Sequence, residues 1–145
     1  MVILTADHAG YELKEKLKKY FQKYGIAYND NGAHTKELLD DYPDYAKSAS
    51  LLVLENENNK GIFICGSGIG MSIAANKVRG IRAAVAYNKK IAKLAVTHNN
   101  ANVITIGGRF TSFWRAKSIV KTFINSQYEK GRHETRISKI KDLEC

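Results

Sequence analysis

Cysteine is scarce in this sequence: there are two in 145 residues, Cys65 inside an apolar run and Cys145 at the last position. Two such cysteines make no disulfide framework, which excludes a small stapled secreted scaffold and points to a reducing compartment. No apolar run approaches the roughly 20 residues that a membrane-spanning helix needs. The amino terminus lacks the charged segment, long apolar core and cleavage site of a secretory signal, since Val2-Ile3-Leu4 passes directly into Thr5-Ala6-Asp7-His8. Internal repeats and low-complexity tracts are missing too. The expectation is a cytoplasmic chain with no membrane contact, folded as one domain over residues 1–145, a common size for a single core.

Acidic residues are also missing where they would matter most. Between Asn58 and Tyr128 there is no Asp or Glu, while eleven Lys and Arg fall there, among them Lys60, Arg82 and Arg109. With a net charge of +9 and a pI near 9.5, a nucleic-acid partner is the first thought. The chain has no recognised nucleic-acid motif or aromatic stacking pattern to go with the charge, so no nucleic-acid partner is expected. A one-sign field of this kind suits a small anion such as a phosphate ester, although most of these cations fall on helix faces where solvation alone accounts for them.

Short apolar runs recur at Val2–Ala6, Ile26–Asn29, Gly61–Cys65, Ile81–Ala86 and Val103–Ile106, which predicts five strands. Between them the spacing is helical. Leu13, Leu17, Tyr20 or Phe21 and Tyr24 mark a first helix closed by Gly25, and Pro43 suits the first turn of a second. Further helices are predicted near Met71–Lys77, Lys89–His98 and Ser112–Ser126. Alternating strands and helices with short connections imply a doubly wound α/β domain, a parallel five-stranded sheet covered on both faces. The apolar spacing of Ile137, Ile140 and Leu143 predicts a C-terminal helix with too little chain of its own to cover it, and therefore a partner subunit.

In such sheets ligands bind beyond the carboxyl ends of the strands. That rule selects Asp7-His8, Cys65 to Gly70, Tyr87-Asn88 and Gly107-Gly108-Arg109. The strongest local signal is Cys65-Gly66-Ser67-Gly68-Ile69-Gly70, where an apolar strand meets a helix and glycines let backbone amides approach an anion. A dinucleotide fingerprint fails here, because Met71 stands where Gly or Ala is needed and no acidic residue follows about twenty positions on. A cysteine-phosphatase loop fails as well, since Met71 also occupies the place of its phosphate-holding arginine. What remains is a thiol beside a nest of amides. A base next to an oxyanion site is what proton removal alpha to a carbonyl requires. His98 ends a helix just before a strand. The four histidines show no metal-ligand spacing, so no metal is expected. Arg132 and Arg136, four apart, share a helix face and could grip one phosphate.

Taken together, Asp7-His8-Ala9-Gly10, Asp41-Tyr42-Pro43, Cys65 to Gly70, Ala74-Ala75-Asn76-Lys77, His98-Asn99-Asn100-Ala101-Asn102-Val103 and Gly131-Arg132-His133 resemble ribose-5-phosphate isomerase type B along nearly the whole chain. The resemblance implies interconversion of ribose 5-phosphate and ribulose 5-phosphate through an enediolate, in the non-oxidative pentose phosphate pathway, without a cofactor. It implies that Cys65 is the base and that Ser67 with the amides of Gly66, Gly68, Ile69 and Gly70 steadies the enediolate. It makes His98 the ring-opening group, has Asp7 assist that ring chemistry or bind a sugar hydroxyl, places Asn99 on the sugar, and sets His8, Arg109, Arg132 and Arg136 on the phosphate. It further implies a homodimer, or a dimer of dimers, whose sites draw on both subunits. The sequence departs from the family pattern at Asn100, where an aspartate is common, and this takes an acidic neighbour from His98. Isomerases of six-carbon sugar phosphates, galactose or allose 6-phosphate, are the nearest alternative.

Overall fold

The computed structural model describes residues 1–144, and Cys145 lies outside them. Five parallel strands, β1 (Val2–Ala6), β2 (Tyr28–Asp30), β3 (Lys60–Cys65), β4 (Ala83–Val85) and β5 (Val103–Gly107), form one sheet in the order β2-β1-β3-β5-β4. The three central strands are apolar without alternation because both of their faces are covered, and β1 and β5 are buried at every residue. The edge strands β2 and β4 come out three residues long, shorter than the apolar runs predict. Each pairs on one side only, so its ends leave the ladder early.

Helices α1 (Tyr11–Lys23), α4 (Lys89–Thr97) and α5 (Phe113–Asn125) pack on one face, where Leu17, Phe21, Val96, Ile119 and Phe123 meet Leu4, Ile62 and Ile104. Helices α2 (Tyr42–Leu54) and α3 (Ile69–Ala75) cover the other, with Ala46, Ala49, Val53 and Met71 against Ile3, Phe63 and Val103. The small residues of α2 let it lie close to the sheet. Helix α1 ends as the sequence requires: Gly25 at φ 63° takes the left-handed conformation that stops it. Two features of α1 depart from its apolar spacing. Tyr24 is exposed, and Lys14 is fully buried. The Lys14 ammonium is held by Asp30 Oδ2 at 2.7 Å and Glu15 Oε1 at 2.8 Å, tying α1 to the edge strand β2.

A 3-10 turn (Gly131–His133) leads into α6 (Glu134–Lys141). Of its predicted apolar stripe Ile137 is buried, while Ile140 and Leu143 are exposed. Among the described residues no helix is long and apolar enough to cross a membrane.

Candidate active site

In a parallel sheet all carboxyl ends lie on one edge, and the chain order reverses between β1 and β3, where a crevice must open. Asp7 and His8 follow β1, Cys65 ends β3, and Gly107 to Arg109 leave β5. These segments come together around a cavity of about 540 Å³ lined by Asp7, His8, Tyr42, Cys65, Ser67 and Arg109, with Gly66, Ile69 and Gly70 on its wall.

Cys65 is 3% exposed, and its Sγ accepts the Gly68 amide at 3.2 Å. That amide is in place because Gly68 has φ 80° and no side chain. A Cβ there would sit 2.9 Å from the Ile106 carbonyl carbon and 3.0 Å from the Gly107 nitrogen, backbone atoms that cannot yield. Helix α3 therefore starts immediately after Gly68, two residues before the predicted Met71. Ser67 is exposed at the turn, and its Oγ accepts the Ile69 amide at 3.2 Å. Arg109 donates its amide to Gly66 O at 3.1 Å and extends its guanidinium over the glycine turn. The Tyr42 ring lies against Gly70.

Asp7 is buried and accepts the Gly10 amide at 3.0 Å. Burial pushes its carboxyl above the ordinary range against the pull of that hydrogen bond. Asp40, with no sequence signal to mark it, orients His8: its Oδ1 accepts the His8 amide at 2.9 Å and lies 2.6 Å from Nδ1. Partial burial works to raise the Asp40 carboxyl, but the His8 amide and ring together hold it below the usual value.

His98, Asn99, Arg132 and Arg136 do not line this cavity. His98 caps the end of α4, and its ring stacks on His133 at 4.3 Å with 18° between the planes. Glu129 Oε2 lies 3.9 Å from His98 Nε2, so the acid that Asn100 fails to supply comes from a distant segment. Burial, then the neighbouring His98 and Arg132, hold the His133 imidazole below its ordinary pKa. Arg132 and Arg136 do stand one turn apart, with Arg136 Nη1 donating to Arg132 O at 2.8 Å. Asn99 faces a separate depression bounded by Arg82 and Ile140. One chain thus holds two separate clusters, one around the thiol and one of histidines and arginines.

His133 and Tyr42 sit in motifs the sequence displays, but Asp40 and Glu129 could be found only from the fold. Two clusters, His98–Glu129–His133 and Asp7–His8–Asp40, each bring three donor atoms within 4.8 Å of one another, close enough to hold a cation. Their members come from separate elements, which is why a search for metal-ligand spacing passes over them.

Fold and pocket together mark an α/β enzyme of the sugar-phosphate isomerase class. Residues 2–140 match the Ribose/Galactose Isomerase family, and the chain belongs to that family. It is 41% identical to ribose-5-phosphate isomerase B of Escherichia coli over 143 residues, covering 99% of this chain and 95% of that protein. A crystal structure of a ribose 5-phosphate isomerase from Thermotoga maritima superposes with a TM-score of 0.94 at 46% identity, covering 98% of this chain and 97% of that one. The Mycoplasma genitalium ribose-5-phosphate isomerase B, solved with bound ribulose-5-phosphate, gives 0.93 at 37% identity, covering 99% and 95%.

Proposed function

We propose that this protein interconverts ribose 5-phosphate and ribulose 5-phosphate, with Cys65 as the base. The observation that carries the reading is the buried Cys65 thiol, held by the Gly68 amide at the mouth of a cavity that also presents Asp7, His8 and Arg109. In the aldose-to-ketose direction Cys65 takes the proton from carbon 2 and returns it to carbon 1, while the hydroxyl proton passes from oxygen 2 to oxygen 1. The enediolate between these steps carries charge on oxygen. Ser67 and the amides of Gly66 and Gly70 are the donors for it, since the Gly68 and Ile69 amides are already given to Cys65 Sγ and Ser67 Oγ, and preorganised donors of this kind are worth about 3 kcal/mol each. The substrate is mostly a closed furanose with no acidic alpha proton, so ring opening comes first. That task falls to His98, with Glu129 and His133 setting its ring. Asp7 and Asn99 bind the sugar, and His8, Arg109, Arg132 and Arg136 hold the phosphate. No step requires a cofactor or metal.

The two half-sites form one working site when a second copy brings its His98 and Arg132 half to the Cys65 half of the first. Exposed Ile69, Ile73 and Phe110 around the thiol cavity and exposed Ile140 on α6 support such a homodimer. Two dimers could pair further, and the setting is cytoplasmic. A coupled assay comparing ribose 5-phosphate with allose and galactose 6-phosphates tests the function. Turnover is expected to favour the pentose, and a preference for either hexose would overturn the substrate assignment.

A further inference from the structure

The outer surfaces of the adjacent helices α1 and α5 leave a cleft of about 300 Å³, lined by lysines and aromatic rings and by no acid. Lys16, Lys19 and Lys23 recur at three and four residues and so share one stripe of α1, with Tyr24 at its end; Trp114 and Lys117 stand together on α5 in the same way. Nearby carboxylates are already engaged. Glu15 and Asp30 hold Lys14 and Lys18, and Glu12 holds Lys36 at 2.7 Å, with Lys16 adding a weaker pull. Helix α5 contains no acid at all. Among the described residues, none of the four lysines of the cleft is in an ion pair with a carboxylate.

Lys117 is the fixed cation of the cleft. Its ammonium lies 5.4 Å from the ring centroid of Tyr20, 5.8 Å from that of Tyr24 and 5.3 Å from that of Trp114, so three rings hold a charge that no carboxylate neutralises. Beside it Tyr24 is 57% and Trp114 73% exposed, while no Leu, Ile or Val lines the cleft. Unpaired cations call for an anion, and exposed flat rings next to them call for a planar group to stack on; a nucleotide carries both. A second copy of this chain does not fit, because a two-fold contact would set lysines against lysines. A bilayer surface does not fit either, since no aliphatic side chain is presented here to enter it. Lys16 to Lys23 spans about 10.5 Å along the helix, more than one phosphate group, which favours a strand over a mononucleotide.

We propose that the cleft between α1 and α5 binds single-stranded nucleic acid, with bases stacking on Tyr24 and Trp114 and phosphates meeting Lys117 and the lysine stripe of α1. This reverses the expectation drawn from the sequence, where the stacking aromatics go unseen because Tyr24 and Trp114 meet only through the packing of α1 on α5. The face is separate from the thiol cavity, and no residue lines both.

Fluorescence anisotropy of a labelled single-stranded RNA of roughly 12 nucleotides, titrated with the full chain at physiological salt, tests this. Saturable binding is expected. Tyr24→Ala and Trp114→Ala change no charge and should each weaken it at least about fivefold, the loss of one stacked base, and Trp114→Phe should restore most of it. Lys16→Gln and Lys23→Gln should each lower the slope of log affinity against log salt by about 0.7, while the aromatic variants leave that slope unchanged. The proposal is overturned by the absence of saturable binding, by aromatic variants that bind like the parent, or by an abasic strand that binds as tightly as the RNA. Displacement of the strand by ribose 5-phosphate would place it in the thiol cavity, and adenosine monophosphate that matches its affinity would make the cleft a mononucleotide site; either result overturns the proposal. Aromatic variants that keep RNA binding and lose binding to phosphatidylserine vesicles would assign the face to a membrane instead. Because the readout is binding, failure of the isomerase assignment leaves this result standing, and the reverse also holds.

Discussion

Gly68→Ala puts the geometry of the thiol turn to a quantitative test. Gly68 adopts φ 80°, where an L-residue costs about 1–2 kcal/mol. The added Cβ would also lie 2.9 and 3.0 Å from backbone atoms of Ile106 and Gly107. Because those atoms belong to β5 in the centre of the sheet, relief must come from the turn itself, at an overpacking cost of about 1–2 kcal/mol. The combined loss is about 3 kcal/mol, measurable by urea unfolding followed by far-ultraviolet circular dichroism. Relief by movement of the turn also withdraws the Gly68 amide from Cys65 Sγ, so turnover should fall at least tenfold under conditions where the variant is folded. A variant within 0.5 kcal/mol of the parent, a bound set by ordinary surface substitutions, or one with unchanged turnover, would refute the reasoning.

Other parts of the account yield expectations of their own. Asp30→Ala leaves Lys14 fully buried with Glu15 as its remaining carboxylate, and should cost about 3 kcal/mol in urea unfolding; a loss below about 1 kcal/mol would mean that Glu15 suffices. Asp7→Asn should stabilise the fold at neutral pH. The folded carboxyl is raised above its ordinary 3.8, so its contribution to stability is full below that value and is lost as pH rises through the folded value. The advantage of the neutral amide should therefore appear between acid and neutral pH, and an advantage that does not vary with pH would contradict the burial argument. Cys65→Ala and His98→Ala should each be inactive alone, yet regain about one quarter of the intact sites when refolded together, as random pairing into two-fold dimers predicts. No recovery would place both residues in a site formed by one chain.

Much of the fold is legible in the sequence because its period is plain. Unbroken apolar runs could only be strands covered on both faces, and Gly25 and Pro43 bracketed the helices as their backbone chemistry demands. The edge strands were less legible, since hydrophobicity records burial and says nothing of where a ladder ends. Lys14 was hidden for the same reason: a lysine at a core position looks like a surface residue until Asp30 arrives from β2. At the site, the strand-end rule found Asp7, His8, Cys65 and Arg109 because that rule is topological. It could not find Asp40 or Glu129, whose carboxylates reach His8 and His98 from other segments. Nor could it show that His98 and the two arginines stand away from Cys65 within one chain. Local motifs report adjacency in sequence, and this separation exists only in three dimensions.

The central claim is that Cys65 moves the proton between carbons 1 and 2. Its most direct test is solvent deuterium exchange into ribulose 5-phosphate by the Cys65→Ala variant, followed by nuclear magnetic resonance alongside sugar-phosphate binding. The account predicts that exchange and turnover both fall to background while binding and the folded circular dichroism spectrum are retained. Exchange at a near-normal rate in that variant would contradict it and assign the base to another residue.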